Sequence, residues 1–312
     1  MTPEQIAGLF LDRDDYLILT HIRPDGDTLG SAGALCRALR KLGKTAFVAD
    51  NPETTPRYAF LTDGLIAPED YGYKTIIAVD IADERLIPVS MRYGKPFVQI
   101  DHHPSNEGFA ENNCIIPSAA ATGEIIYEVM VSLKVEMDRD MAAAIYISVA
   151  TDTGCFKYSN TTADSHTVAA AAISAGIRVG ELNNTIFDAF SKARIEMERL
   201  FFESMRFYND ERICVARITN KMLEDTGASE DDIDNFAAIP KRINGVDAGI
   251  TLRELRDGRV KVSFRSSEVL NASEICGLFG GGGHQRAAGA TIEASLDEVE
   301  EMLVRAAGER LS

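Results

Sequence analysis

The N-terminal half of the chain carries a small set of histidines and aspartates whose types could bind metal ions. Within the segment 21–31, one imidazole and two carboxylates occupy a turn that contains glycine and proline. Further members stand much later in the chain. The set comprises His21, Asp25, Asp27, Asp80, Asp101, His102, His103 and Asp152. Carboxylates brought to one place repel each other unless cations lie between them. If the fold gathers these residues, it therefore creates a metal site.

The residue types also indicate the kind and number of ions. Mixed imidazole and carboxylate ligands suit manganese, and less specifically zinc or iron, better than calcium. Six candidates exceed what one catalytic ion holds while it leaves room for water and substrate. These six are His21, Asp25, Asp27, Asp80, His102 and Asp152. We therefore expect two divalent ions, Mn²⁺ in the first instance, that share Asp80. Such a pair favours phosphoryl hydrolysis.

The elements that must position these residues are short apolar runs separated by helix-like stretches. The runs are 16–20, 75–79 and 97–100. Their alternation with helical segments such as 32–42 predicts a mostly parallel sheet flanked by helices. His21, Asp80 and the Asp101-His102-His103 triplet follow the three runs, at the strand ends where open α/β sheets bind ligands. A helix over 140–151 would deliver Asp152 to the same edge.

A chain of 312 residues exceeds the usual size of a single core, which predicts two α/β domains. We expect a catalytic domain over 1–185 and a smaller mixed-sheet domain over 209–312. A charged connecting helix over 186–208 would join them, with an i to i+4 pair between Arg194 and Glu198. The expected elements of the smaller domain are strands 213–218, 248–252 and 260–264 and a final helix 296–307.

Charge and cysteine usage restrict the partners. The 32 basic and 48 acidic residues give a net charge of −16, which disfavours long duplexes because they bind through many phosphate contacts to Lys and Arg. A nucleic-acid substrate would have to be short. Five scattered cysteines without a C-x-x-C spacing indicate reduced thiols and a cytoplasmic location. No run approaches the ~18 apolar residues of a membrane span, so we expect no membrane partner.

Plainer interpretations of these patterns stay open at this point. The segment 21–31 could be a loop with Asp25 as a helix N-cap. The histidine pair could be one core and one surface residue, since neighbours in an extended segment point to opposite faces. Ser31 is not expected to be a nucleophile, because it lacks the G-x-S-x-G elbow.

The C-terminal region adds a glycine-rich segment that could bind an anion. Successive glycines allow backbone N–H groups to approach a phosphate, and neighbouring side chains would add donors. The candidates are Gly280, Gly281, Gly282, Gly283, His284 and Arg286, with Arg265 as a further phosphate clamp. A flexible turn and an ordinary exposed arginine are the alternatives.

Taken in order, these motifs resemble those of the DHH phosphoesterases, a family that includes RecJ-like exonucleases, nanoRNases and family II pyrophosphatases. The resemblance rests on His21-x-x-Pro24-Asp25-x-Asp27-x-x-Gly30-Ser31, Asp80, Asp101-His102-His103 and Asp152-Thr153-Gly154-x-Phe156. The segment 280–289 is similar to the signature of the DHH-associated substrate-binding domain, which disfavours a pyrophosphatase. Together they cover nearly the whole chain.

The resemblance implies a role for each residue. It implies one ion on His21 and Asp25, a second on Asp27, His102 and Asp152, and Asp80 between them. His103 would contact the scissile phosphate and Asp101 would orient the histidines. The glycine-rich segment would hold a phosphate or terminal nucleotide.

The implied function is hydrolysis of short oligoribonucleotides to 5′-mononucleotides, with 3′-phosphoadenosine 5′-phosphate as a further substrate. Short RNA, dinucleotides and nucleoside phosphates are thus the expected partners, and a homodimer stays open. One rival is a phosphodiesterase for cyclic or linear dinucleotides, which needs the same metals and a similar pocket. A rival of another class is a noncatalytic nucleotide-binding or metal-sensing protein, which would require a lost ligand. None of the expected ligands is missing.

Overall fold

The computed structural model describes residues 1–233 and 235–311 and divides the chain into two compact units, Met1–Ala189 and Phe190–Ser312. The first unit is built on a five-stranded sheet in the order β2-β1-β3-β4-β5, with every pair parallel. Its strands are β1 Tyr16–Leu19, β2 Ala46–Val48, β3 Thr75–Val79, β4 Val98–Asp101 and β5 Asn112–Ile115. The central strands are continuously buried because α-helices cover one face of the sheet, while the segment that holds Ile81, Ile87 and Met91 covers the other. The predicted parallel α/β fold is confirmed.

Six helices belong to this first unit. They are α1 Pro3–Leu11, α2 Gly26–Lys41, α3 Thr122–Ser132, α4 Arg139–Asp152, α5 Ala163–Ser174 and α6 Val179–Asn183. Helix α2 begins six residues before the predicted start at position 32, because Asp25 caps it by accepting hydrogen bonds from the backbone N–H groups of Asp27 and Thr28. Residues 26–31 of the predicted turn therefore belong to the helix, and residues 21–25 lead into it.

Helices α2 and α4 pack closely because α2 presents glycines to its neighbour. A Cβ atom on Gly30 would lie 2.4 Å from the carbonyl oxygen of Ala144, and one on Gly26 would lie 2.5 Å from the Thr151 side chain. Position 123 is equally tight, since a Cβ there would overlap the hydroxyl of Ser148. This contact brings the start of α2 beside the end of α4.

Strands β3 and β4 differ in where their polar residues lie relative to the strand end. β3 ends at Val79 as predicted, and Asp80 then adopts a φ of +57°, a conformation rare for a non-glycine residue. β4 runs one residue further than predicted, so Asp101 lies inside the strand and is fully buried. His102 and His103 follow it.

The second unit has a six-stranded mixed sheet in the order β10-β11-β9-β8-β7-β6, in which β7 and β8 pair in parallel and the other neighbouring strands pair antiparallel. Its strands are β6 Arg206–Tyr208, β7 Ile213–Ile218, β8 Ala248–Glu254, β9 Val260–Ser266, β10 Gly282–His284 and β11 Ala287–Ile292. Its helices are α7 Lys192–Glu203, α8 Asn220–Thr226, α9 Ala272–Gly277 and α10 Leu296–Gly308. The predicted mixed sheet is thus observed.

The segment expected to connect the domains differs from the prediction. Instead of one helix over 186–208, a π-helical turn (Asn184–Asp188) ends the first unit, and α7 belongs to the second. The reason is an apolar stripe on α7, since Met197 and Phe201 are fully buried against Phe236. The predicted Arg194–Glu198 pair is confirmed, at 3.3 Å between Nε and Oε1.

The structure also bears on membrane-spanning helices and on the state of the cysteines. Within the described ranges, no helix combines the length and the apolar character that crossing a bilayer demands. The five cysteines are free thiols, and four of them are buried.

Candidate metal centre

The strand order brings three polar segments to one edge of the first sheet. β1, β3 and β4 are neighbours. Asp80 and His102 come directly after β3 and β4, and His21 follows β1 with Thr20 between them. Asp25 and Asp27 enter from the start of α2, and Asp152 is the last residue of α4. The structure thus gathers all six predicted ligands around this edge.

One group of three lies around the first histidine. Nε2 of His21 is 3.8 Å from Oδ1 of Asp25 and 3.6 Å from Oδ2 of Asp80. These three side chains each offer an atom within 4.8 Å of the others, which is close enough to hold one ion.

A second group lies around His102. Its Nε2 is 3.1 Å from Oδ2 of Asp152 and 3.7 Å from Oδ2 of Asp27. The three residues again offer atoms within 4.8 Å of one another.

Asp80 lies between the two groups and uses a different oxygen toward each. Oδ2 faces His21, while Oδ1 is 3.7 Å from Nε2 of His102. Oδ1 also accepts a hydrogen bond from the hydroxyl of Thr122 at 2.9 Å. Because the Asp80 side chain is almost fully buried, this two-sided orientation is held by the fold rather than by solvent.

Both histidines are oriented as metal ligands are. Nδ1 of His21 lies 2.7 Å from the carbonyl oxygen of Ile22, and Nδ1 of His102 lies 3.1 Å from that of Ala119. Donation from Nδ1 to a carbonyl fixes the tautomer in which Nε2 has a free lone pair. Nε2 of His102 is buried and has no hydrogen-bond partner among the described residues. The donor set therefore fits divalent cations at both groups.

The electrostatics of the cluster favour the same interpretation. Burial opposes charge on His21, but the carboxylates of Asp25 and Asp80 outweigh it and raise the pKa of His21 to about 11. Burial and the charges of Asp80 and Asp152 raise the pKa of Asp27 well above its usual range. Raised pKa values on both a histidine and an aspartate show that the cluster is strongly negative. Divalent cations would neutralise this charge.

His103 is placed differently from its neighbour. Its Nδ1 bonds to Oδ1 of Asp101 at 2.8 Å, and Asp101 also accepts a hydrogen bond from the amide of Asn106. The Asp101 hydrogen bond, against the effect of burial, raises the pKa of His103. The ring is 41% exposed, so Nε2 is available to a molecule from solvent. His103 also stands 3.7 Å from Asp80, and with His102 these form a third group with metal-ligand spacing.

Several supporting residues escaped the sequence analysis. Asp27 accepts hydrogen bonds from the backbone N–H groups of Thr122 and Gly123 at the start of α3, and from the hydroxyls of Ser31 and Ser148. A signal for Ser148 existed, because it is a hydroxyl four residues before Asp152 in an otherwise apolar stretch. Thr122 gave no such signal, since only the fold brings α3 to the cluster.

In the second unit, two predicted phosphate-binding residues share one face of the sheet. His284 on β10 pairs with Ala287 on β11, which pairs with Arg265 on β9. Residues directly opposite each other project to the same side of a sheet. The side chains of His284 and Arg265 therefore lie on one face, with the methyl group of Ala287 between them. The two Cα positions are about 10 Å apart, two strand spacings. The opposite face carries Phe264 and the apolar core.

The glycine-rich segment forms a hairpin rather than a free loop. A Cβ on Gly281 would lie 2.2 Å from the carbonyl oxygen of Gly289, and Gly283 has a φ of +143°. The glycines are therefore needed to pack β10 against β11. Arg286 differs from the expectation, because its Nη1 donates to the carbonyls of Ser267 and Leu270.

Comparisons with known proteins agree with this architecture. The model of the DHH family, N-terminal domain, matches residues 15–149, and that of the DHHA1 domain matches residues 210–311. The bifunctional oligoribonuclease and PAP phosphatase NrnA of Thermus thermophilus is 32% identical over 305 residues, 95% of this chain and 90% of that protein. The protein of the same name from Bacillus subtilis is 27% identical over 93% of each chain.

A solved structure gives the fold independently. An exopolyphosphatase-related protein from Bacteroides fragilis superimposes with a TM-score of 0.85 at 23% identity, covering 97% of this chain and 95% of that one. Fold, site and sequence together define a metal-dependent phosphoesterase. The chain belongs to the DHH family and carries a C-terminal DHHA1 domain, which confirms the resemblance found in the motifs.

Proposed function

We propose that this protein is a two-metal phosphoesterase that hydrolyses short oligoribonucleotides to 5′-mononucleotides and also acts on 3′-phosphoadenosine 5′-phosphate. The observation that carries the proposal is the two-sided placement of Asp80, with His21 on one oxygen and His102 on the other. The names of the Thermus and Bacillus relatives support these two substrates. A noncatalytic role would require a lost ligand, and all six are present.

The six ligands would hold two ions, for which Mn²⁺ is the proposed metal. His21 and Asp25 would bind one, Asp27, His102 and Asp152 would bind the other, and Asp80 would bind both. Bound ions of this kind supply positive charge for phosphate oxygens and lower the pKa of water. Imidazole nitrogen with carboxylate oxygen is the ligand mixture that suits Mn²⁺.

His103 is the residue proposed to contact the scissile phosphate. Asp101 holds its Nδ1 and favours the protonated imidazole, so Nε2 can donate to a phosphate oxygen. Asn106 in turn holds Asp101. Asp101 would therefore act through His103 as a positioning residue.

The DHHA1 domain is proposed to bind a phosphate or the terminal nucleotide of the substrate. Arg265 and His284 share a face and offer a guanidinium and an imidazole as donors. The backbone of Gly280, Gly281, Gly282 and Gly283 would add N–H donors, and the remaining nitrogens of Arg286 would add another. A small site of this kind favours short substrates, as does the net charge of −16.

The free thiols support a reducing, cytoplasmic location, which we include in the proposal. A homodimer is compatible with it. Long duplexes are not proposed as substrates.

The test is product analysis with purified protein and Mn²⁺. Substrates are 5′-phosphorylated RNAs from dimers to long oligomers, 3′-phosphoadenosine 5′-phosphate and cyclic dinucleotides. We expect mononucleotide release that is fastest from the shortest RNAs and is abolished in Asp80→Ala. A matched control is Asp140→Ala, which removes an exposed carboxylate from the first turn of α4.

Two outcomes would contradict the proposal. A preference for cyclic dinucleotides would identify a signalling phosphodiesterase with the same centre. The absence of metal-dependent turnover on every substrate would indicate a binding protein.

A further inference from the structure

A separate cavity of about 150 Å³ lies in the first unit, beside the loop whose Ala119 carbonyl oxygen contacts Nδ1 of His102. Its polar wall includes Glu124 and Glu128 of α3 and Asp164 of α5, and its apolar wall includes Ile125 and Val168. None of the six proposed metal ligands lines it.

Glu124 has an unsatisfied carboxylate oxygen. The residue is only 5% exposed, and its Oε2 accepts a hydrogen bond from the backbone N–H of Ala120 at 3.1 Å. Oε1 is buried and has no partner among the described residues. A buried carboxylate oxygen without a partner in the protein is costly, so Oε1 of Glu124 favours a donor or a cation from a ligand.

The charge around the cavity is negative and uncompensated. Across the described ranges, neither Glu124, Glu128 nor Asp164 forms an ion pair with a basic side chain. Burial, together with the carboxylates of Glu4, Asp164 and Glu124, raises the pKa of Glu128. A cation in the cavity would relieve this repulsion.

The spacing of the carboxylates indicates which kind of cation fits. These three acids are not among the groups whose ligand atoms approach within 4.8 Å in the described residues, so they do not form a compact cage for a small divalent ion. Carboxylates spread around a partly apolar cavity instead match an organic cation with a short aliphatic body and more than one ammonium group.

We propose that this cavity binds a short aliphatic diammonium ion, with one ammonium group on Glu124 and the other toward Glu128 and Asp164. The site is independent of the proposed substrates. It shares a wall with the metal centre, because Ala119 accepts from His102 while Ala120 donates to Glu124. Occupancy would therefore hold the loop that orients His102.

The experiment is calorimetric titration of the Mn²⁺-saturated protein with 1,4-diaminobutane, so that the acidic metal centre is already filled. We expect one-to-one binding that weakens at least about tenfold in Glu124→Gln, because one charge-assisted hydrogen bond is lost. Asp164→Asn, at an exposed position, should weaken binding by a smaller factor and keeps the fold. Glu136→Gln is the matched control, since it removes one exposed carboxylate outside the cavity.

Three results would overturn the proposal. The first is no binding of 1,4-diaminobutane at millimolar concentration. The second is binding that Glu124→Gln and Asp164→Asn leave unchanged. The third is displacement of the diamine by K⁺ or Mg²⁺ at similar concentration, which would identify an inorganic cation site. Because the readout is binding, failure of the proposed hydrolysis would leave this test intact.

Discussion

The hydroxyl of Ser148 in the middle of α4 donates a hydrogen bond to the fully buried carboxylate of Asp27 at the start of α2. The contact joins two helices that are 121 residues apart in sequence. It orients one oxygen of Asp27 and leaves the other toward His102.

Replacing Ser148 should therefore weaken metal binding without removing a ligand. We expect Ser148→Ala to lower Mn²⁺ affinity about tenfold. Loss of a residue that holds a metal ligand in place typically lowers affinity by about 10- to 100-fold. Calorimetric titration with Mn²⁺ measures it. Ser174→Ala is the control, because that hydroxyl lies on the exposed side of α5. Equal affinities in both variants would contradict the role given to Ser148.

His103 should be needed for turnover but not for metal binding. We expect His103→Ala to lower kcat about 100-fold while Mn²⁺ affinity stays close to that of the native protein, because its Nδ1 is already bonded to Asp101. Steady-state kinetics on a 5′-phosphorylated RNA dimer and a Mn²⁺ titration give the two quantities. A parallel loss of affinity would instead assign His103 to the group that it forms with Asp80 and His102.

Asp152 should stabilise the protein only when metal is present. Burial and the charges of Asp80 and Asp25, against the attraction of the nearby His102 imidazole, raise the pKa of this carboxyl. Asp152 also lies at the C-terminal end of a helix, where negative charge is unfavourable. Without metal, Asp152→Asn should melt at the same temperature as the native protein or slightly higher. With saturating Mn²⁺ the order should reverse, because the variant gains less from the ion. Melting curves with EDTA and with Mn²⁺ provide the comparison, and an unchanged order would argue against Asp152 as a ligand.

The contact between α2 and α4 should be intolerant of an added methyl group. Gly30→Ala would place its Cβ 2.4 Å from the carbonyl oxygen of Ala144, and we expect the free energy of unfolding to fall by about 2 kcal/mol. Gly8→Ala is the matched control on α1, where nothing lies within 4 Å, and it should gain about 0.5 kcal/mol from lower backbone entropy in the unfolded chain. Chemical denaturation measures both. A Gly30→Ala variant as stable as Gly8→Ala would contradict the packing described.

The second unit should affect substrate binding rather than metal binding. We expect Arg265→Ala to raise KM for an RNA dimer about tenfold through loss of a charged donor, with Mn²⁺ affinity unchanged. Arg259→Ala removes the same charge from a turn where the guanidinium pairs with Asp257, and it should leave KM unchanged. Equal KM values in the two variants would remove Arg265 from the proposed site.

The sequence by itself determined the fold class and the identity of the clustered residues. Apolar runs ending in His21, Asp80 and the 101–103 triplet predicted a parallel sheet with a polar edge, because strand ends in such sheets meet on one side. Those motifs were local and did not depend on packing. The same holds for the mixed sheet of the second unit, where β7 is a mostly apolar run and β9 alternates apolar with polar residues.

Only the tertiary structure decided how the cluster is supported and where the units divide. Thr122 and Ser148 reach Asp27 because glycines let α2, α3 and α4 approach closely, and no sequence spacing encodes a contact across 95 or 121 residues. Likewise, the charged residues of α7 predict a helix that connects the domains. Burial of two apolar side chains, Met197 and Phe201, makes α7 part of the second unit instead. Local patterns specify which elements form, whereas long-range packing specifies which side chains meet.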